Sequence, residues 1–149
     1  MSLEKDIMKK LVVAMKAKDK VALESLRAIK SEIILAKTAT AGSDELTEEQ
    51  ELKILQKLVK QRKDSATLFT EQGRSDLAEP ELAQAVIITE FLPEQMSEEK
   101  VREIVAEIVT KVGASSMKDM GKVMGMANKA LAGKADGKTI STIIKDLLS

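Results

Sequence analysis

Apolar residues recur at intervals of three and four from Leu3 to Leu147, and they never alternate with polar ones over the length of a strand. An α-helix turns every 3.6 residues and a strand every two, so this spacing places them on one side of helix after helix. A chain so patterned hides its apolar surface by packing helices on helices. The fold class expected is all-α.

The helices can be read in order. Leu3, Ile7, Met8, Leu11 and Met15 make one face of the first. The second runs from about Val21, with Ala22, Leu26, Ile29, Ile33 and Ala36 on one side. "TATAGSDE", Thr38 to Glu45, is a loop by composition. The third opens at Thr47, where "TEEQ" is a capping box, and carries Leu52, Leu55, Val59, Ala66 and Phe69 to a stop at Gly73. "SDLAEPELAQAVIITEFLP" is the fourth, with Pro80 near its first turn and Pro93 at its end.

Three shorter helices follow. Ser97 caps one that buries Val101, Ile104, Val105, Ile108 and Val112 and ends at Gly113. Ser116 with Asp119 opens the next, which starts near Met117 and buries Met120, Val123, Met124, Ala127 and Leu131. The last runs from Gly137 and presents Ile140, Ile143, Ile144 and Leu147. "LPEQMS" at Pro93 is the expected boundary between an amino-terminal helical bundle, residues 1–93, and a small three-helix domain, residues 94–149.

Composition narrows the chemistry. There is no histidine and no cysteine, which removes Ser-His-Asp and Cys-His catalysis, thiolate or imidazole zinc sites, and disulfides. The aromatics are Phe69 and Phe91 alone, so no stacking platform for single-stranded bases exists. The acid-rich "DELTEEQE" is a helix start favoured by its dipole. Ser115 and Ser116 near Lys118 could suggest a Ser-Lys pair, but capping explains them more simply. No catalytic residue, metal site or cofactor is expected. The apolar run from Leu11 to Met15 is too short for a signal-peptide core, and Glu4 and Asp6 speak against a transit peptide. With no apolar run long enough for a membrane span, the expected location is the cytoplasm.

"AGKADGKT", Ala132 to Thr139, fits a loose phosphate-loop pattern. A phosphate loop leaves a buried strand on a sheet that also holds a metal-binding acid. Here the preceding residues have helical spacing and ten residues follow Thr139. The stretch reads as a turn between helices, with Gly133 left-handed and Asp136 as the next cap. Nucleotide binding is not expected.

The 24 basic and 24 acidic residues cancel overall, yet Lys111 to Lys145 holds seven lysines and two acids. At 100° per residue, Lys118, Lys122 and Lys129 fall within about 40° of one another, opposite Met120, Met124, Ala127 and Leu131. Gly121 and Gly125 border that row, and each costs a helix about 1 kcal/mol against alanine. Either another helix packs closely there or a ligand backbone approaches. Lys134 and Lys138 flank the next helix start, where free amides favour an anion. Met120 and Met124 read as core, leaving Met117 and Met126 as exposed candidates for a partner surface. Lys53, Lys57 and Lys60 read as a solvated charge row. Arg62 falls inside an apolar stripe, so an acid from a neighbouring helix is its expected partner.

"LVKQRKDS" (Leu58 to Ser65), "FLPEQMSEE" (Phe91 to Glu99), "GASSMKDMGKVMG" (Gly113 to Gly125) and "GKADGK" (Gly133 to Lys138) resemble the GatB/YqeY family, in particular its free-standing YqeY-like members. The resemblance covers essentially the whole chain and implies two helical domains. In the B subunit of the tRNA-dependent amidotransferases the related region is carboxy-terminal, and its tail helps hold tRNA. The catalytic cradle of that subunit lies upstream and has no counterpart here. Kinship would bring the label of a carbon-nitrogen ligase with glutamine as amido donor, but no catalytic residue carries over. The expected function is a non-catalytic module for tRNA or other structured RNA, contacting phosphates through Lys118, Lys122, Lys129, Lys134 and Lys138. The alternative is a protein-interaction adaptor or accessory subunit, with an apolar patch that includes Met117 or Met126.

Overall fold

The computed structural model describes residues 3–39 and 45–149. Its α-helices are α1 (Leu3–Ala17), α2 (Lys20–Ala39), α3 (Glu48–Glu71), α4 (Ser75–Thr89), α5 (Glu98–Val112), α6 (Met120–Ala130) and α7 (Gly137–Leu148), with one 3-10 turn at Met117–Asp119. No strand occurs among the described residues, and the all-α expectation holds. The chain divides into two compact units, Met1–Leu92 and Pro93–Ser149, each with its own core.

In the first unit, α1 to α4 close around Ile7, Leu26, Ile29, Leu55, Leu58 and Ile88. The Asp19 carboxylate accepts the Ala22 N–H at 3.1 Å and starts α2. Thr47 and Gln50 form the expected reciprocal capping box. Gly73, at φ 73°, lets the chain turn from α3 into α4. Just past it, the Arg74 guanidinium makes two hydrogen bonds to Asp76, at 3.1 and 3.0 Å. That contact holds the Asp76 carboxyl below its usual range and the Arg74 guanidinium above.

Several helix faces differ from the periodic reading. α1 buries Leu3, Ile7, Leu11 and Ala14, whereas Met8 and Met15 are exposed. The stripe at 3, 7, 11 and 14 is straighter along the helix, and on it Ala14 takes the place assigned to Met15. α3 buries Ile54 and Leu58 beyond the expected stripe, because it packs against both α2 and α4 and needs a broader face. Thr38 and Ala39 belong to α2, so the expected loop there begins later; its residues 40–44 lie outside the described ones. Pro80 is the sixth residue of α4, just past its first turn, and α4 stops at Thr89, before Pro93. A proline there removes the amide that would bond the Asp76 carbonyl, a cost that the packing of α4 against α2 and α3 offsets.

The second unit wraps α5, α6 and α7 around Val101, Val105, Val123, Leu131, Ile140 and Ile144. Ser97 accepts the Lys100 N–H at 3.2 Å, and Gly113 ends α5 at φ 68°, both as the sequence predicts. α6 begins at Met120, three residues later than expected, with the 3-10 turn ahead of it. Ser116 makes no side-chain cap. The Asp119 carboxylate instead reaches back to accept the Ser115 N–H at 3.1 Å.

Candidate functional site

The turn between α6 and α7 is built by local chemistry. α6 ends at Ala130, and Gly133 turns left-handed at φ 74° just beyond the Leu131 cap. Asp136 accepts the Thr139 N–H at 2.7 Å and starts α7. The segment entering α5 fastens this turn from outside: the Met96 N–H donates to the Lys134 carbonyl at 3.0 Å and Gln95 Nε2 to the Gly133 carbonyl at 2.7 Å. "AGKADGKT" is therefore a pinned turn between two helices, with no strand before it.

The five candidate lysines all lie in this unit. Lys118 sits in the 3-10 turn, Lys122 and Lys129 on α6, Lys134 in the pinned turn and Lys138 in the first turn of α7. Lys118, Lys122, Lys129 and Lys138 are exposed and Lys134 is half-buried. The 3-10 turn winds more tightly than an α-helix, so Lys118 is offset from the row that uniform helical spacing drew.

The chain's two lysine rows differ in what surrounds them. On α3, Lys53 pairs with Glu49 at 3.3 Å, Lys57 with Glu32 at 3.3 Å and Lys60 with Asp64 at 3.0 Å. That row is internally neutralised, as a solvated face would be. In the second unit none of Lys118, Lys122, Lys129, Lys134 or Lys138 makes an ion pair or side-chain hydrogen bond with a described residue. The ion pairs of that unit join Lys100 to Glu103 and Arg102 to Asp146.

Gly121 and Gly125 answer the question their sequence positions raise. Both are exposed, and a Cβ built on either meets nothing within 4 Å. No helix of this unit uses their small size. On the helical wheel of α6 they point away from Val123 and Ala127, beside Lys122 and Lys129. The methionines divide otherwise than expected: Met117 is 45 % exposed, but Met126 is half-buried and packs on the core together with Met120 and Met124. Of the two methionines expected to supply an apolar patch, Met117 alone is exposed.

Elsewhere, an open polar cleft of about 500 Å³ in the first unit is lined by Gln61, Arg62, Asp64, Ser65, Glu81 and Gln84. Arg62 donates through Nε to Gln84 Oε1 at 3.3 Å. Its partner is an amide, not the acid its position in the stripe predicts. No group of three or more potential metal ligands stands together among the described residues. No helix among them is long and apolar enough to cross a membrane.

Comparison with known proteins gives three similarities. The model of the YqeY-like protein family matches residues 4–148. The E subunit of the glutamyl-tRNA(Gln) amidotransferase of Thermococcus gammatolerans is 37 % identical over 70 residues, 44 % of this chain and 11 % of that protein. An uncharacterized protein of Schizosaccharomyces pombe is 35 % identical over 97 residues, 64 % of this chain and 76 % of that protein. The matched stretch thus covers about a tenth of the amidotransferase protein.

Proposed function

The chain belongs to the YqeY-like family, and from that premise we propose a non-catalytic RNA-binding module that holds tRNA, or a similarly structured RNA, by its phosphates. The observation that carries the reading is the contrast between the two lysine rows. Cations already paired within a protein have little to gain from a phosphate, whereas unpaired ones release counterions and bind. Lys118, Lys122, Lys129, Lys134 and Lys138 are of the second kind. The bare backbone at Gly121 and Gly125 gives a phosphodiester chain room to lie against α6.

The likeness to a protein named for glutamyl-tRNA(Gln) supports tRNA as the RNA. Because the match covers 11 % of that protein, the proposal takes from it a ligand class and not its amidotransferase activity. Contacts of this type read shape and position rather than base sequence. A tRNA-handling module of this kind would work in the cytoplasm.

A tRNA affinity series across salt concentrations tests the proposal, with wild type beside the Lys118→Ala/Lys122→Ala variant. With about four phosphates contacted, log affinity should fall against log salt with a slope of about −3 to −4. The variant should bind all tRNAs more weakly and flatten that slope by about two units. Equal, salt-insensitive binding by both proteins, or none by either, would transfer the proposal to a protein-interaction adaptor.

A further inference from the structure

The first unit carries two apolar faces that its own core leaves uncovered. On α1, Met8, Val12 and Met15 are 46 %, 50 % and 59 % exposed, and on α2, Ile34 is 48 % exposed. At 100° per residue, Glu4, Met8, Val12 and Met15 share a sector about 80° wide on α1, and Lys30, Ile34 and Lys37 one about 60° wide on α2. Glu4 pairs with Lys37 across the two helices. The two sectors therefore open on the same side of the α1–α2 hairpin and form one face.

The rim of this face is basic. Lys9, Lys16 and Arg27 flank it and Lys30 lies within it, and none of the four pairs with a described acid. Of the acids on this side, Glu4 is held by Lys37 and Asp19 by the start of α2. An occupant must bring apolar side chains and negative charge together.

α4 offers that combination. Leu82 and Val86, one turn apart, are 47 % and 63 % exposed. Glu79 and Glu90 bracket them at the two ends of the row, exposed and without a cationic partner among the described residues. The row Glu79–Leu82–Val86–Glu90 follows helical spacing, so it is a narrow apolar seam closed at each end by a carboxylate.

We infer that the basic apolar face of the α1–α2 hairpin receives the α4 row of a second copy of this chain. The two faces share no residue, so the contact is heterologous: each copy gives one face and receives on the other. A contact made through a few apolar side chains gives weak association, and its charges make the association sensitive to salt.

Sedimentation velocity on the nuclease-treated full chain tests the inference. Mean mass should rise with concentration over about 0.1 to 1 mM, the range of a weak contact worth about 4 to 5 kcal/mol. Raising salt from about 50 to 300 mM should weaken the association several-fold. Val12→Asp and Val86→Asp, both at exposed helical positions, should each leave a folded monomer. Mixed together, they should form a one-to-one dimer that grows no further, because one contributes an intact α4 row and the other an intact hairpin face. A wild type that stays monomeric to about 1 mM, where even a contact worth only about 4 kcal/mol would be half formed, would overturn the inference. So would association that survives Val12→Asp while failing in Val86→Asp, which would put the α4 row on some other basic surface. Failure of the two variants to complement each other would overturn it too. None of these results depends on whether the second unit binds RNA.

Discussion

Gln84 stands between Arg62 and Glu24: its Oε1 accepts the Arg62 Nε–H at 3.3 Å, and its Nε2 donates to a Glu24 carboxylate oxygen at 2.9 Å. An amide carries both a donor and an acceptor, so it can serve a cation and an anion together where a carboxylate could serve only the first. The relay ties α3, α4 and α2 at one point of the first unit. Gln84→Ala should lower the stability of that unit by about 0.5 to 1 kcal/mol, as expected for partly exposed hydrogen bonds. Urea unfolding checks this. No loss of stability would mean that water replaces the relay at no cost.

The glycines of the second unit should respond to alanine with opposite signs. At Gly121 and Gly125 a Cβ enters open space within a helix, so each alanine should stabilise by up to about 1 kcal/mol. Gly113 sits at φ 68°, where a side chain costs about 1 kcal/mol or more. Thermal unfolding of the three variants checks the signs. If the phosphate reading is correct, the two stabilising variants should also bind tRNA less well.

Asp136→Ala should cost about 1 kcal/mol, the usual worth of a helix cap, because its carboxylate satisfies the Thr139 amide. Lys138→Ala, at an exposed position without an ion pair, should change stability by no more than a few tenths of a kcal/mol. Titration with Mg-ATP should give no saturable heat in wild type or in either variant. Micromolar heat lost in Lys138→Ala would restore the phosphate-loop reading of "AGKADGKT".

Glu51 gives a pH-dependent prediction. Burial raises its carboxyl above the ordinary value, with a hydrogen bond from the Leu3 backbone working against that shift. A carboxyl raised in the folded state opposes folding once it is ionised, and the opposition fades as pH falls through the raised value. Glu51→Gln should therefore stabilise slightly at neutral pH, with an advantage that shrinks as pH falls through the raised value and is gone below the usual carboxylate range. Melting temperatures of both proteins between about pH 4 and 7 check the sign. An advantage that grows on acidification would contradict it.

Local chemistry was legible in the sequence because each signal acts within a few residues. The Thr47–Gln50 box, the Ser97 and Asp136 caps and the left-handed Gly73, Gly113 and Gly133 all stand where their residue types place them. The same holds for the all-helical class, since periodicity is a property of the chain alone. Where Ser116 with Asp119 was expected to open a helix, Asp119 turned back to Ser115 and Ser116 was left without a capping bond.

Tertiary structure decided which of several apolar stripes on a helix finds a neighbour, and which charges find a partner. Met8 and Met15 lie at the edge of the Leu3–Ile7–Leu11 stripe and Ala14 near its centre, and the side of α1 that meets the core is the one bearing Ala14. Met126 looked free and proved to lie against the core. Arg62 met an amide because Gln84 of α4, not an acid, lies opposite it. The lysine rows of α3 and of the second unit already differ in sequence, since Glu49 and Asp64 stand four residues from Lys53 and Lys60 while Lys118, Lys122 and Lys129 have no acid at that spacing. They differ because Glu32, from another helix, and the neighbouring acids of α3 itself come within reach of one, while no described acid reaches the other. A side chain's period and its i,i+4 partners are set by its own helix, but a partner such as Glu32 for Lys57 is set by the helix that folds against it.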